Sequence, residues 1–532
     1  MLAQIQMAFN VNALPVSVGG IVDDFDTSAT SVGTALVIYS LFVAAFVMLG
    51  AKIGKLVGER LVFQVTVVVH GLAMGLMAVS PDVDLMNYAQ AIAGLAAAGL
   101  VPSLVVLIAA NYQGRQQEQC LGLLAGTSAM AGVLAFLIAG FLGTVLTWRY
   151  SFGLIVVLAA AVLMLSFRLK PVERQPGIKI DTVGATMAAL AIIGITFGFN
   201  SLNSWGLLLA RPDAPFDILG LSPAPFIVLI GAIIGQGFFA WSHKRQAINQ
   251  APLLSLEVLD SKEERNAIFA MLIIGALGPA VNFLIPLYIQ IVQGRSSLQT
   301  SVAVVPYALS IFIAAVMIVR LYDRLTPRQI GSFGFLVVSA GLVILALSIH
   351  NDWGTPAVIV GLVILGLGEG ALLTLLFNVL VSASPKRLAG DVGALRGTAN
   401  NLSTAVGTTA ASLFSVGLLS LIVTSSLVNN PTIPADLKVQ VPLDSINFVS
   451  NDQLLETLDD TDATPGQVEE AVRINTDARL RALRETFFIL AAIALLAIIP
   501  SLGLPHYVPG EVPAGSPDDE TNDPTKQATP AA

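Results

Sequence analysis

Charged side chains are scarce in this chain of 532 residues, of which only 12% are Asp, Glu, Lys or Arg. Soluble domains carry about 25% of such residues, and a chain this apolar exposes too much apolar surface to remain in water. Cysteine is nearly absent, and the single Cys120 cannot form an internal disulfide, which excludes a disulfide-stabilised scaffold. The net charge of −8 and the lack of a basic cluster argue against nucleic-acid binding.

Long apolar runs are what the sequence has instead. A membrane helix needs about 20 mostly apolar residues, and lipid leaves backbone amides no partner except the helix itself. The sequence therefore predicts an all-α integral membrane protein. Its fourteen predicted spans are residues 2–22, 31–51, 61–80, 86–109, 120–143, 150–169, 183–203, 223–242, 266–292, 298–320, 329–349, 356–382, 394–427 and 486–504.

Basic residues predict the orientation of these spans. The loops that join even-numbered to odd-numbered spans, together with the C-terminal tail, contain 19 of the 27 Lys and Arg residues. Because basic loops remain in the cytoplasm, these loops and both termini are predicted to be cytoplasmic. We therefore expect a multi-pass protein of the cytoplasmic (inner) membrane.

Acidic residues concentrate outside the spans. Loop 428–485 has eleven acidic and five basic residues, and tail 505–532 has five acidic residues and one basic residue. The loop contains two helical patterns, which predict a small helical hairpin on the extracytoplasmic side. The tail is rich in Pro, Asp and Ala, a composition typical of disorder.

Five stretches carry a family likeness. NALPVSVGGIVDDF (12–25) ends the first span, GAKIGKLVGERLVF (50–63) joins the second and third, and WRYSF (148–152) follows the fifth. FLIPLYIQIVQGRSSLQTSVAVVPYAL (283–309) and GALRGTANNLSTAVGTT (393–409) lie in the second half. Together with the fourteen spans, they resemble the major facilitator superfamily, and more narrowly its 14-helix drug:proton antiporter (multidrug efflux) branch.

This resemblance implies an architecture. Two six-helix bundles, residues 1–169 and 266–504, are expected to flank a linker, residues 170–265, that contains two extra membrane helices. The substrate site of such carriers lies between the bundles near the membrane midplane, and rocking of one bundle against the other gives alternating access.

The first bundle departs from the branch at two positions that matter for proton coupling. The likeness places Gln6 where these antiporters have an aspartate and Gln90 where they have an arginine. A carboxylate binds and releases a proton, and a nearby guanidinium shifts the pKa of that carboxylate, whereas an amide does neither. Gln6 and Asn10 lie one turn apart. Together with Gln90 they are predicted to contribute amides to the cavity, or to join helices by hydrogen bonds.

The loop between the second and third spans also departs from the family pattern. Lys55 stands at the position of the family's aspartate, while Gly50, Gly54 and Gly58 preserve the glycines and Glu59 and Arg60 follow. The resemblance implies a gating role for this loop. The alternative is that its residues only anchor the loop on the positive side of the membrane.

One acidic residue lies at membrane depth. Glu369 stands in the middle of span 356–382, where a charge costs about 2.5–3.5 kcal/mol to insert. We predict that Glu369 carries a coupling proton or binds a cationic substrate. Other predicted cavity residues are the amides Asn12, Asn282, Gln290, Asn400 and Asn401, each with helix–helix hydrogen bonding as its alternative. His70, alone in the third span, is predicted to be a packing histidine.

These observations predict a secondary transporter, not an enzyme, with no cofactor and no metal site. Its substrates are expected to be small amphipathic or lipophilic compounds that it exports, with protons as a possible coupling ion. Two alternatives stay open: an uncoupled or otherwise coupled facilitator of the same fold, and a non-transporting membrane assembly or sensor protein that binds a partner through loop 428–485.

Overall fold

The structure is a computed structural model of the full chain. It describes residues 1–112, 115–170, 172, 174, 180–212, 214–248, 250–259, 261–321, 324–351, 356–383, 389–428, 430, 433, 448–459, 461 and 463–506. In these residues the secondary structure is helical apart from two isolated bridges between Leu209 or Ile218 and Leu221. The predicted all-α class is confirmed.

Helices account for every predicted span. In chain order they are α1 (Leu2–Val16), α2 (Val18–Phe25), α3 (Ala29–Val57), α4 (Glu59–Ala78), α5 (Val83–Asn111), α6 (Arg115–Val145), α7 (Trp148–Ser166), α8 (Thr182–Trp205), α9 (Pro223–Ala247), α10 (Lys262–Pro286), α11 (Ser297–Ile318), α12 (Pro327–Ser348), α13 (Pro356–Ala383), α14 (Ala389–Val428), α15 (Asn451–Asp459), α16 (Pro465–Leu496) and α17 (Ile498–Ser501). A π-helical segment, Leu287–Val292, extends α10.

Among the described residues, twelve of these segments are long and apolar enough to cross a membrane, and the bent pair α1–α2 makes a thirteenth. Helix α6 contains predicted span 120–143, and its described side chains include the apolar stretch Met130–Val145. Outward-facing side chains are large and apolar, with Leu72, Met164 and Phe333 more than 60% exposed. Such a surface is suited to lipid.

The sequence predicts one continuous helix for the first span, residues 2–22, but the structure divides this span into two helices. The span breaks at Ser17, and α1 and α2 meet at 65°. The break comes two residues after Pro15, which lacks a backbone N–H, and just before Gly19 and Gly20. Proline and glycine are the common causes of such breaks, because they remove a hydrogen bond or weaken the helix locally.

Several helices begin with a capping box, in which a Ser or Thr side chain and a Glu or Gln three residues later satisfy each other's backbone amides. The pairs are Ser261 with Glu264, and Thr326 with Gln329. A third, Thr464 with Gln467, starts α16. From there α16 runs without interruption to Leu496, so the last predicted span, 486–504, includes the end of a helix that starts far outside the membrane.

The helices pack in two groups. Helices α1 and α3–α7 contact one another, and α10–α14 contact one another and α16. The groups meet along α3 against α14 and along α6 against α11, while α8 packs on both α3 and α14 with α9 outside it. We call the groups the first and second bundle. The boundaries at 169, 265 and 504 and the tail 505–532 stay predictions.

Two membrane sides are distinguished by their loops. We call the side with the loops after α3, α5, α7, α9, α11 and α13 the basic side, and the opposite one the far side. On the far side, α15 and the start of α16 form the predicted helical hairpin. Arg479, 1% exposed, joins them by donating to the Val449 carbonyl at 2.5 Å and to Oδ1 of Asn451 at 2.7 Å.

Candidate functional site

Glu369 lies where three helices of the second bundle meet. Its side chain is 6% exposed, and the Tyr307 hydroxyl of α11 donates a hydrogen bond to its Oε2. Helix α10 approaches at Gly278, where a Cβ atom would overlap the carboxyl group. Within the described part of the chain, no cationic side chain lies within ion-pair distance of Glu369.

Small residues make this approach of helices feasible. A Cβ at Gly366 would collide with Ser310 and Tyr307, and one at Gly370 would collide with the Ile311 backbone, so α13 lies against α11 at both glycines. The Ser310 hydroxyl donates to the Tyr307 carbonyl at 2.7 Å. The glycines on either side of Glu369 therefore allow Tyr307 to reach its carboxyl group.

In the first bundle, two of the predicted amides pair with each other. Asn10 Nδ2 donates to Gln90 Oε1 at 3.0 Å, and Gln90 Nε2 donates to Asn10 Oδ1 at 3.2 Å. Both side chains are buried, at 1% and 0% exposed. This reciprocal pair joins α1 to α5 without any charge, which fits the helix–helix alternative for these two amides.

Gln6 bonds to a different helix. Its Nε2 lies 3.0 Å from Nδ1 of His70 in α4 and donates to the Val67 carbonyl at 3.4 Å. His70 is fully buried, and its ring meets the Tyr39 ring edge-on at 6.5 Å. The sequence predicts a lone packing histidine at position 70, because the partner of this residue lies 64 positions earlier in the chain. In the structure, the ring of His70 is hydrogen-bonded to the Gln6 amide.

Gln290 joins the two bundles. It lies in the π-helical segment, and its Oε1 accepts a hydrogen bond from the Gly19 amide at 2.7 Å. Its Nε2 donates to the Pro15 carbonyl at 3.4 Å. One glutamine of the second bundle therefore contacts the backbone on both sides of the break between α1 and α2.

Two further hydrogen bonds join the bundles on the far side. The Leu298 amide at the start of α11 donates to the Thr144 hydroxyl in the last turn of α6 at 3.0 Å. One turn deeper, the Ser301 hydroxyl donates to the Phe136 carbonyl at 2.5 Å. We call these two contacts and the Gln290 contacts the far-side seal, since all of them bridge the bundles near their far-side ends.

The loop between α3 and α4 holds a buried acid. Glu59 is 2% exposed, and Ser103 of α5 donates to its Oε2 at 2.9 Å. Arg60 Nη2 donates to the Phe167 carbonyl at the end of α7, at 2.9 Å.

The glycines of this loop allow close backbone contacts. A Cβ at Gly50 would overlap the Ala98 carbonyl of α5, and one at Gly54 would overlap the Glu59 carboxylate. Gly58 adopts φ +117°, a conformation that side-chain-bearing residues rarely adopt. The loop therefore connects α3, α4, α5 and α7 on the basic side.

The remaining predicted cavity residues do not converge on one point. Asn12 Nδ2 donates to the Ala8 carbonyl of its own helix at 2.7 Å, and Asn401 Nδ2 donates to the Gly397 carbonyl at 2.9 Å. Asn282 is half-buried in α10, one turn beyond Gly278, and Asn400 is exposed on α14. Of these four residues, Asn282 is the one that lies one turn from Gly278, where α10 meets Glu369.

A far-side cluster was not predicted as a functional group. Arg149 forms an ion pair with Asp24 at 2.8 Å, donates to the Ser80 carbonyl at 2.6 Å and stacks 4.6 Å from the Trp148 ring. Trp148 also donates to Asp24 Oδ2, at 3.0 Å. The WRYSF stretch therefore joins α2, α4 and α7. Its signal in the sequence is the turn position of Trp-Arg after an apolar run.

Two helical bundles, with a buried acid in one and paired amides in the other, are joined by the hydrogen bonds of the far-side seal. The sequence profile of the Major Facilitator Superfamily matches residues 1–408. The chain belongs to this superfamily, and it is a multi-pass membrane protein and not an enzyme.

Similar proteins include named efflux and resistance proteins. The chain is 26% identical over 429 residues to the multidrug efflux pump LfrA of Mycolicibacterium smegmatis, covering 80% of this chain and 79% of that protein. It is 24% identical to the puromycin resistance protein pur8 of Streptomyces alboniger, with 78% and 80% covered.

Solved structures show the same fold. A bacterial homolog of the human lysosomal transporter Spinster, in an inward-facing and unoccupied conformation, superposes with a TM-score of 0.59 at 14% identity, covering 94% of this chain and 97% of that one. The POT family transporter PepTSo superposes with a TM-score of 0.57 at 12% identity, covering 94% and 96%.

Proposed function

We propose that this transporter exports small amphipathic or lipophilic compounds and couples their export to proton movement through Glu369. The observation that carries the proposal is the Glu369 site: a buried carboxyl group at mid-span, bonded to the Tyr307 hydroxyl and without a cationic partner among the described residues. The names of LfrA and pur8 support the substrate class.

The chemistry of this site is that of a group with two states. An unpaired carboxylate is costly in a low-dielectric interior, so the closed site favours the protonated acid. Once water or a cationic substrate reaches the group, the carboxylate is stabilised and the proton leaves. The Tyr307 hydroxyl donates to either form, and so holds the group in place through the exchange.

The orientation completes the proposal. With the basic side in the cytoplasm, both termini are cytoplasmic and the far-side seal closes the path to the exterior. Substrate then enters from the cytoplasmic side or the adjacent leaflet and leaves when the seal opens. Single cysteines are introduced at the far-side end of α7 and at the basic-side loop of a Cys120→Ser chain, and a membrane-impermeant reagent added to intact cells is expected to label only the first.

Transport by purified protein in proteoliposomes tests the coupling. A lipophilic fluorescent dye such as rhodamine 6G is followed with and without a pH gradient, and then in counterflow, where dye exchanges without a gradient. Glu369→Gln is expected to reduce pH-driven accumulation at least tenfold and to preserve counterflow. Glu369→Asp is expected to retain part of the driven transport, because it keeps a carboxyl group.

A matched control is Glu485→Gln. Glu485 is an exposed acid paired with Arg481 at 3.9 Å, and its removal is expected to leave transport unchanged. Driven transport by Glu369→Gln at the wild-type rate contradicts the role of Glu369. If transport by the wild-type protein does not depend on the pH gradient, the second candidate function, an uncoupled facilitator, is favoured. The uncharged amide pair Asn10–Gln90 supports this second candidate.

A further inference from the structure

A histidine in the first bundle uses only half of its hydrogen-bonding capacity. Gln6 and His70 are both 0% exposed, and Gln6 Nε2 lies 3.0 Å from Nδ1 of the ring. Among the described residues, His70 Nε2 and Gln6 Oε1 have no hydrogen-bond partner although both atoms are buried. Buried polar atoms in native proteins are nearly always bonded, so this pair requires an explanation.

The Val67 carbonyl defines the protonation state of the ring. A carbonyl only accepts, so the Gln6 atom that faces it is the NH₂ group, and the same group donates to Nδ1 of His70. A ring nitrogen that accepts carries no proton. The imidazole is therefore neutral here, with its proton on the unpartnered Nε2.

Gln6 can serve the other protonation state as well. Rotation of its amide by about 180° around the terminal torsion presents Oε1 to Nδ1, and a doubly protonated ring then donates to it. The rotated amide gives up its bond to the Val67 carbonyl, which at 3.4 Å is the longer of the two Gln6 contacts. An alkyl side chain serves neither state, and a carboxylate strongly favours the charged ring. An amide is the partner that follows the ring between both.

The surroundings contain little else that titrates. Helix α4 packs against α3, α5 and α7 and reaches α1 through Gln6. From α3, Tyr39 faces His70, and α1 has no titratable side chain. Those of α4 itself, Glu59 and Arg60, lie at its basic-side end. Those of α5 and α7 lie in the first two turns at the far side and are Asp84, Tyr88, Arg149 and Tyr150.

We propose that His70 is a second proton-binding site of this transporter, located in the first bundle, and that the Gln6 amide rotates to accommodate the proton. The state described here holds the neutral ring, and the proton binds when the transport cycle admits water to the Nε2 side. This proposal rests on the proposed transport function but not on Glu369.

Imidazole NMR of the full chain in detergent, labelled with ¹⁵N-histidine, tests the site directly, with the proton as the ligand. The chain has four histidines, and His70→Gln identifies the His70 signals by their loss. We expect these signals to change from the neutral to the protonated pattern between pH 8 and pH 4, in wild type and in Glu369→Gln alike. A ring that stays neutral throughout this range overturns the proposal.

The pH dependence of transport distinguishes a proton-binding role of His70 from a packing role. His70→Gln is expected to shift the pH optimum of rhodamine 6G transport by about one unit or to abolish its pH dependence, while His350→Gln, which removes an exposed ring, leaves it unchanged. Gln6→Glu is expected to move the midpoint of the NMR titration at least one unit toward higher pH, because an adjacent carboxylate stabilises the charged ring. A His70→Gln variant with lower thermal stability but a wild-type pH profile overturns the proposal and leaves His70 a packing residue. If His70→Gln does not fold, the His70 signals are identified as those that remain when His243, His350 and His506 are replaced by Gln. The Gln6→Glu titration then decides, and an unmoved midpoint overturns the proposal.

Discussion

Gln290 of the second bundle accepts a hydrogen bond from the backbone amide of Gly19 in the first bundle, at 2.7 Å. The two residues are 271 positions apart in the chain, and the bond crosses the interface along which the bundles must separate on the far side. The far-side seal is therefore attached to the first span at its bend at Ser17. An opening motion that frees Gln290 breaks both of its contacts with this bend.

Replacement of Gln290 by Leu is expected to favour the state that is open on the far side. The change removes two bonds that exist only when the seal is closed, each with a net contribution of about 1 kcal/mol, or about fivefold in population. Spin-label distances between the far-side ends of α6 and α11 measure the shift. Gln293→Leu, at a nearby position within the second bundle, is the control. Equal distance distributions in wild type and Gln290→Leu contradict the role of Gln290 in holding the far-side seal closed.

Gly278 tests whether the position of Glu369 depends on close helix contact. Gly278→Ala places a Cβ against the carboxyl group and is expected to lower stability by about 1–3 kcal/mol, because the packed site cannot expand. Gly417→Ala is the matched control: a Cβ there meets nothing within 4 Å, and helix propensity favours alanine by up to about 1 kcal/mol. Thermal unfolding in detergent compares the two, and an equally stable Gly278→Ala protein contradicts the geometry.

The helices were largely predictable from the sequence, since a run of about 20 apolar residues in lipid has one backbone solution. What escaped prediction depends on tertiary contact. The bend at Ser17 follows a proline that many membrane helices tolerate without breaking, and here Gln290 contacts the backbone on both sides of the bend. The continuous α16 was missed because its first part is polar, and hydropathy alone ends the span where polarity begins.

The candidate site was predictable only in part. Glu369 stands out because a lone acid in an apolar span is costly, and the sequence shows that directly. Its partner Tyr307 does not stand out, because a tyrosine in a span has no unusual cost. His70 is visible in the sequence, but the Gln6 amide that contacts it is not. Their roles emerge only when the fold brings α11 to α13 and α1 to α4.

Gly58 is expected to be intolerant of any side chain. Its φ of +117° is strained for L residues by about 1–3 kcal/mol, and a Cβ there would also approach Arg174 at 3.3 Å. Gly58→Ala should therefore destabilise the protein by at least about 1 kcal/mol, measured by its melting temperature in detergent. Gly153→Ala, which meets no atom within 4 Å, is the control. Equal losses in both variants indicate a general effect and contradict a local strain.

Ser103 is expected to matter to the basic-side loop because it is the hydrogen-bond donor to a buried carboxylate. Ser103→Ala leaves Glu59 Oε2 without this bond, which costs about 1.5–3 kcal/mol for a charged acceptor. Glu59→Gln alone is expected to cost less, since an amide in place of the carboxylate carries no charge to bury. A double-mutant cycle of the two changes, read by thermal unfolding, should give a coupling of at least about 1 kcal/mol. A coupling near zero means that the two side chains do not interact in the folded protein.

Arg149 is expected to resist conservative replacement. Its planar guanidinium contacts Asp24, the Ser80 carbonyl and the Trp148 ring together, whereas a lysine ammonium is a single point charge that cannot hold all three. Arg149→Lys should therefore destabilise the far-side end of the first bundle almost as much as Arg149→Ala, by about 1–2 kcal/mol, as the exposed ion pair contributes little by itself. Thermal unfolding of both variants and of Asp24→Asn at low and high salt separates the contributions. If Arg149→Lys keeps wild-type stability at low salt and loses it at high salt, the cluster acts through charge alone and its planar contacts are dispensable. Trp148 begins α7 and Asp24 lies in the last turn of α2, so the contacts of Arg149 and Trp148 with Asp24 join the bent first span to the rest of its bundle. Loss of these contacts should therefore also weaken the Gln290 contacts, and the same spin-label distances across the far-side seal report that change.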